Sequence, residues 1–189
     1  FLISADIEDL EEAKNFLNPK LAHFADPFDI PGMVDAVKRI CNAIQNKENV
    51  LVIGDYDVDG ITSTVIIKKI LIALGLAPFH VTPKRKTEGY GLTKKVLNRG
   101  LKLGKINLVI ALDCGTNSRE EAVFLKDQKI DLIIIDHHQS KDGKPCDAIQ
   151  VNPHLHDDND EPWRFLCTAG LAFKTVHGIL KKLRKAGIK

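Results

Sequence analysis

Three runs of apolar, mostly β-branched residues each end abruptly in a carboxylate-rich polar segment, and this pairing limits the possible folds more than any other feature. The runs are Val50-Leu51-Val52-Ile53, Leu108-Val109-Ile110-Ala111-Leu112 and Leu132-Ile133-Ile134-Ile135. The segments that follow are Gly54-Asp55-Tyr56-Asp57-Val58-Asp59-Gly60, Asp113-Cys114-Gly115-Thr116 and Asp136-His137-His138. Short continuous apolar runs fit strands buried on both faces of a parallel sheet. The carboxyl ends of such strands open on one crevice. The three polar segments, distant in sequence, are therefore expected to converge. Carboxylates crowded together repel one another, and divalent cations offset that repulsion. The pattern points to a metal-dependent hydrolase.

The stretches between the runs have helical spacing. Met33, Val34, Val37, Ile40, Cys41 and Ile44 predict an amphipathic helix over 32–46. Ile61, Val65, Ile66, Ile67, Ile70, Leu71 and Leu74 predict a second over 61–74, stopped by Gly75. Helices are also expected over 8–17, 93–102, 118–128 and 166–183, with Ser118-Arg119-Glu120-Glu121 forming a capping box. Two further strands are expected near 79–82 and 148–151. Lys84 to Gly91 and His154 to Glu161 are polar loops. Alternating strands and helices give an α/β fold, a mostly parallel sheet flanked by helices with right-handed crossovers. The chain's 189 residues suffice for one substantial core. We divide it into a helical lead-in, 1–48, and a catalytic domain, 49–189.

The net charge of +2 is too small to argue for a nucleic-acid partner by itself. Two local basic clusters, Lys84-Arg85-Lys86 and Lys181-Lys182-Leu183-Arg184-Lys185, read first as a solvated loop and a solvated helix face. The four cysteines form no Cys-x-x-Cys pair, which argues against a zinc ribbon and fits a reducing, cytoplasmic compartment. No apolar run approaches the ~20 residues needed to cross a bilayer, so no membrane is expected. No signal peptide is visible. A first residue of Phe and a basic helical end are what a piece of a longer protein would have.

Each motif has a bland reading to overcome. Asp55, Asp57 and Asp59 could form an Asx turn or a calcium loop, but a calcium loop follows a helix and closes with a Glu. Here the motif follows a buried strand and leads into an apolar helix, so a catalytic divalent metal is preferred. Asp113 alone could be a helix cap; small residues after it let backbone N–H groups turn toward an anion. Helix N-termini after Gly60 and Asn117 would add partial positive charge toward a phosphate. Cys114 reads as a packing residue. In Asp136-His137-His138, neighbouring side chains on an extended segment point opposite ways. One imidazole is therefore expected on the metal and the other on the substrate. Carboxylates with imidazole favour Mn²⁺ or Mg²⁺ over a thiolate metal. Paired ions ~4 Å apart suit hydrolysis of a phosphodiester or phosphoanhydride. Arg85 reads equally as a solvated side chain or a bidentate phosphate clamp. His154, His156, Asp157 and Asp158 read as an acidic loop rather than a second metal site.

With these residues in view, the chain resembles the DHH phosphoesterase superfamily, and within it the single-strand-specific 5′→3′ DNA exonucleases. The likeness rests on the three strand-end motifs and on Glu88-Gly89-Tyr90-Gly91-Leu92. Phe16-Leu17-Asn18-Pro19, Asp26-Pro27-Phe28 and Val151-Asn152-Pro153 extend it. The resemblance implies a DHH-type domain with a two-metal centre, Mn²⁺ with Mg²⁺ as the alternative. Asp57, Asp59, Asp113 and His137 would be ligands, with Asp113 bridging, and Asp55 either a ligand or a carboxylate behind the ligands. It also implies that His138 contacts the scissile phosphate or assists the leaving group, and that Arg85 and Gly115 lie against substrate. Ile53 stands where pyrophosphatases of the superfamily carry a histidine, which argues against that branch.

The same resemblance implies single-stranded DNA as partner, roles in DNA repair and recombination, and possible single-strand-binding or repair proteins as further partners. The superfamily uses another aspartate well beyond Asp136-His137-His138. No position up to Lys189 matches it, nor the second domain or the oligonucleotide-binding fold. An incomplete centre with weak isolated activity is therefore expected. The alternatives are a superfamily enzyme cleaving short oligonucleotides or cyclic dinucleotides, and a non-catalytic binding module of the same fold.

Overall fold

The computed structural model of the chain describes residues 7–20, 23–155 and 161–187. His156, Asp157 and Asp158 lie outside the described residues. Strands β1 (Val50–Gly54), β2 (Phe79–Val81), β3 (Leu108–Leu112), β4 (Asp131–Ile135) and β5 (Ile149–Val151) form one sheet in the order β2-β1-β3-β4-β5. Every neighbouring pair is parallel. Helices α1 (Leu10–Leu17), α2 (Met33–Gln45), α3 (Val58–Ala73), α4 (Lys94–Leu101), α5 (Arg119–Asp127) and α6 (Thr168–Lys185) surround or extend it. The expected α/β architecture is the observed one.

Alternate residues of each run serve opposite cores, which explains why the runs are apolar throughout. Val50, Val52, Leu108, Ile110, Leu112, Ile133 and Ile135 pack with α2, α3 and α6. Leu51, Ile53, Val109, Ala111, Leu132 and Ile134 pack with α4 and α5. The strand side chains named here are at most 5% exposed, so polar residues are excluded from both faces. Met33, Ala36, Val37, Ile40 and Ala43 of α2 join the first core, as does Trp163 from a 3₁₀ turn at Pro162–Phe165. Helix α1 is capped by Asp9, whose carboxylate accepts from Glu11 N and Glu12 N, and buries no residue.

The register levels the motif strands. Gly54 pairs with Leu112, and Leu112 with Ile135. One residue further on, Asp55 N donates to Leu112 O at 3.2 Å, Asp113 N to Ile135 O at 3.0 Å and Asp136 N to Val151 O at 3.1 Å. The backbone ladder thus carries three aspartates to the same level across three neighbouring strands.

Two local expectations are corrected. Helix α3 begins at Val58, not at 61, because the Asp57 carboxylate caps it by accepting from Gly60 N at 2.9 Å. The backbone donor expected to face a phosphate after Gly60 is therefore already used. Ser118 does not close a capping box; its hydroxyl donates to Leu92 O at 3.0 Å, tying α5 to the loop before α4.

The first turn of α3 lies directly on the Asp55 backbone. A Cβ at Gly60 would sit 2.5 Å from Asp55 O and 2.7 Å from its C and N. Gly60→Ala is expected to destabilise the fold by about 2–3 kcal/mol through this overpacking, measured by urea denaturation; a loss below 0.5 kcal/mol would contradict the packing.

Candidate metal centre

Asp55 and Asp113, each 1% exposed, follow β1 and β3, while Asp57 and Asp59 stand at the N-cap and first turn of α3. Single carboxylate oxygens of Asp55, Asp57 and Asp113 lie within 4.8 Å of one another. Ligand atoms of Asp113, His137 and His138 form a second such group sharing Asp113. His137 Nε2 lies 3.5 Å from both Asp59 Oδ2 and Asp113 Oδ1. The structure thus brings all five sequence-predicted ligands, Asp55, Asp57, Asp59, Asp113 and His137, into one region around Asp113.

The chain spends part of its own hydrogen bonding on this crowd. The N-terminus of α6 covers Asp59, whose carboxylate accepts from Thr168 N at 2.9 Å and Ala169 N at 2.7 Å, the favourable end of a helix for an anion. The Thr168 hydroxyl donates to Asp113 Oδ1 at 2.9 Å. Thr168 was not legible as a site residue, since it lies 55 positions from Asp113 in an ordinary helical pattern.

What remains is uncompensated. Both Asp55 oxygens and Asp113 Oδ2 are buried without a well-formed hydrogen bond; the Tyr56 N–H approaches the Asp55 carboxylate and the Asp57 carboxylate approaches that of Asp113. Burial, then repulsion from Asp59 and Asp57, pushes Asp113 up to about 7 against the Thr168 hydrogen bond. Burial also raises Asp55, whereas the Gly60 N–H lowers Asp57. Asp113 adopts φ +61°, a left-handed conformation that Asp and Asn tolerate better than most residues. Buried carboxylate oxygens without partners are costly unless a cation takes them. Oxygen and imidazole donors of this kind fit Mn²⁺ or Mg²⁺, so the residues present suit such ions.

The third aspartate is used differently. Asp136 accepts from Thr116 N (3.1 Å), the Thr116 hydroxyl (2.6 Å), His137 N (2.8 Å), His138 N (3.2 Å) and His138 Nδ1 (2.7 Å). Burial opposes its ionisation, but the His138 and Thr116 hydrogen bonds outweigh burial and hold it low. The same bond raises His138 to about 9. Asn152 Nδ2 braces the network on the Thr116 hydroxyl and His138 O, at 2.7 and 2.9 Å. The two imidazoles do not point opposite ways as an extended strand would require. Their centroids are 5.0 Å apart, because Asp136 draws both following N–H groups onto one oxygen and curls the segment after β4 ends.

Beyond His138 an open cleft of ≈ 350 Å³ is lined by Tyr90, Gly91, Gly115, Asn117 and Lys141 among others. Gly115, at φ +113°, lies where a Cβ would meet the Ile134 side chain at 3.2–3.4 Å. The Tyr90 hydroxyl lies 3.0 Å from His138 Nε2. Tyr90 packs edge-on against Tyr56 with centroids 6.2 Å apart, and the Arg85 guanidinium sits 5.5 Å from the Tyr56 ring centre. Both tyrosines of the chain therefore border the site. They stand inside motifs noted for other residues, and nothing in their spacing announces the contact. Cys114 is buried, as expected of a packing residue. His154 lies in the 3₁₀ turn Pro153–Leu155 and belongs to neither metal-competent group.

The family model of the DHH family N-terminal domain matches residues 49–188. The chain belongs to the DHH family. It is 35% identical over 182 residues to the single-stranded-DNA-specific exonuclease RecJ of Bacillus subtilis (strain 168), covering 96% of this chain and 23% of that protein. To RecJ of Haemophilus influenzae (strain ATCC 51907 / DSM 11121 / KW20 / Rd) it is 31% identical over 189 residues, covering 96% of this chain and 32% of that protein. The crystal structure of an exonuclease RecJ bound to manganese superposes with a TM-score of 0.72 at 28% identity, covering 85% of this chain and 39% of that one. The chain thus spans about a quarter to a third of the length of these two curated relatives. As a DHH domain it has the expected fold, and no helix among the described residues is long and apolar enough to cross a membrane.

Two outcomes follow for the metal-free DHH domain. Because the Asp113 pKa is raised, the folded state binds the proton more tightly than the unfolded state, so this group's stabilising contribution is lost as pH rises from about 4 to about 7. Asp113→Asn keeps the left-handed backbone and removes the buried charge. It is expected to raise stability at pH 8 by on the order of 2 kcal/mol while abolishing stabilisation by Mn²⁺, both read from thermal melts with and without the ion. His138 is expected to titrate near 9 by NMR, falling to the ordinary imidazole range in Asp136→Asn; an unmoved titration would remove Asp136 as the cause.

Proposed function

We propose that this DHH domain is the catalytic portion of a single-strand-specific 5′→3′ DNA exonuclease that hydrolyses phosphodiesters with two divalent ions, Mn²⁺ or Mg²⁺. The observation that carries the reading is the set of buried oxygens on Asp55 and Asp113 without well-formed hydrogen bonds, surrounded by Asp57, Asp59 and His137. Those five residues would hold the ions, with Asp113 shared between the two ligand groups. Bound there, the ions supply Lewis-acid stabilisation of the charge that develops on the phosphoryl oxygens.

The remaining residues act on the nucleic acid directly. His138, whose imidazole Asp136 holds through Nδ1 at 2.7 Å and biases toward the protonated form, presents Nε2–H as a donor beside the carboxylate cluster. In the free protein that donor faces the Tyr90 hydroxyl. With substrate bound it turns to the scissile phosphate or the departing oxygen. Arg85 offers a guanidinium for a substrate phosphate, and Gly115 forms part of the cleft wall against which the strand would lie. Exposed Tyr90 and half-buried Tyr56 give bases a stacking surface of the kind single strands use. RecJ proteins of 31–35% identity carry the name of single-stranded-DNA-specific exonucleases, which supports DNA rather than a cyclic dinucleotide as substrate. Single-strand-binding or repair proteins remain our proposed partners, and the cytoplasm our proposed compartment.

The test is hydrolysis of 5′-phosphorylated oligothymidylate by the domain with Mn²⁺, beside duplex DNA and a cyclic dinucleotide, and in the longest chain that contains it. Preference for the single strand is expected, with Arg85→Ala raising KM about 10-fold or more at little change in Mn²⁺ affinity. Preferred cleavage of the cyclic dinucleotide would overturn the reading.

A further inference from the structure

The loop from Lys84 to Tyr90 carries two groups that face the site, Arg85 and Tyr90, yet almost nothing apolar holds it. Pro83 and Gly91 are buried at its ends; between them only Glu88 is half-buried and every other residue is exposed. The loop's short side-chain hydrogen bonds converge instead on one carboxylate, beside longer ones from the Thr93 hydroxyl to Glu88 O and from Lys95 Nζ to Thr87 O, both 3.4 Å. Glu88 Oε1 accepts from Arg99 Nε at 2.7 Å, and Glu88 Oε2 accepts from Arg99 Nη2 at 2.7 Å and from Lys84 N at 2.8 Å. Arg99 Nη2 also donates to Thr82 O at 2.8 Å, joining the end of β2 to α4. Lys84 O accepts from Thr87 N and Glu88 N at 2.9 and 2.8 Å. One bidentate pair thus fixes both ends of the turn, and its carboxylate side chain is 10% exposed. Bidentate geometry with low exposure distinguishes it from an ordinary surface ion pair.

We propose that Glu88 and Arg99 form a positioning clamp that sets the Lys84–Tyr90 loop so that Arg85 lies over Tyr56 and Tyr90 reaches His138. The substrate consequence rests on the function proposed above. Glu88 stands between the two site-facing residues, three positions after Arg85 and two before Tyr90. Release of its carboxylate frees Lys84 N and the Arg99 fork together, and both site contacts lose their common support. Neither Glu88 nor Arg99 belongs to a metal-competent group, so the clamp acts on substrate without acting on the ions.

The chain's two tyrosines, both beside the site, supply the readout. In the 3-fluorotyrosine-labelled chain, two ¹⁹F resonances are assigned with Tyr90→Phe. Glu88→Gln and Arg99→Gln are each expected to move the Tyr90 resonance toward the value of free tyrosine, and the double variant to move it no further. The Kd for Mn²⁺ and the melting temperature should stay near those of the parent. The Kd for a 5′-phosphorylated, phosphorothioate-linked oligothymidylate should rise about 10-fold in Glu88→Gln, and by less than about 2-fold when Glu88→Gln is added to the Arg85→Ala, Tyr90→Ala double variant. An unmoved Tyr90 resonance overturns the clamp, and so does a full additional loss in the Arg85→Ala, Tyr90→Ala background. If the parent chain fails to bind the oligonucleotide while the Tyr90 resonance still moves, the clamp stands and the proposed function falls.

Discussion

Everything in this site depends on three parallel strands ending level. Backbone hydrogen bonds from Asp55 to Leu112, Asp113 to Ile135 and Asp136 to Val151 bring three aspartates to one row, with neighbouring strands only ~4.8 Å apart. A parallel sheet buried on both faces cannot relax that row outward, because Val52, Ile110 and Ile133 on one side and Ile53, Ala111 and Ile134 on the other are fully buried. The sheet therefore imposes a concentration of negative charge, and the surrounding elements divide the task of tolerating it.

They divide it unequally. Asp136 is fully compensated by Thr116, His138 and the following backbone, and its hydrogen bond to Nδ1 raises the pKa of that imidazole. Asp59 is compensated by the first turn of α6. Asp55 and one oxygen of Asp113 are left without well-formed hydrogen bonds. The contrast separates a carboxylate whose hydrogen bonds are met within the chain from carboxylates whose oxygens are not, and both His137 and His138 lie beside the latter. The left-handed backbone at Asp113 belongs to the same economy: it is the kind of locally unfavourable conformation that persists where surrounding structure over-determines it.

Much of this was legible in the chain. The apolar runs announced β1, β3 and β4, since only strands with two buried faces need such composition, and the residues ending them announced the site. The start of α3 was not legible, because apolar periodicity begins at Ile61 while the helix is set three residues earlier by the Asp57 cap. Ser118 matched a capping pattern but is drawn to Leu92 O by a loop remote in sequence. The opposed imidazoles expected from strand geometry failed because one aspartate side chain captured the backbone after the strand had ended.

The sequence by itself determined the layers of the fold, the strands that end at the site and the residue types that gather there, because hydrophobic periodicity and strand-end chemistry are local properties. Only the tertiary structure decided how charge is shared among those residues. That Thr168 serves Asp113, that α6 caps Asp59, that Tyr90 meets His138 and that Arg99 holds the loop through Glu88 all depend on contacts between segments whose pairing is set by packing of whole elements. No local pattern encodes such contacts, since a hydrogen bond between distant residues leaves no period in the chain.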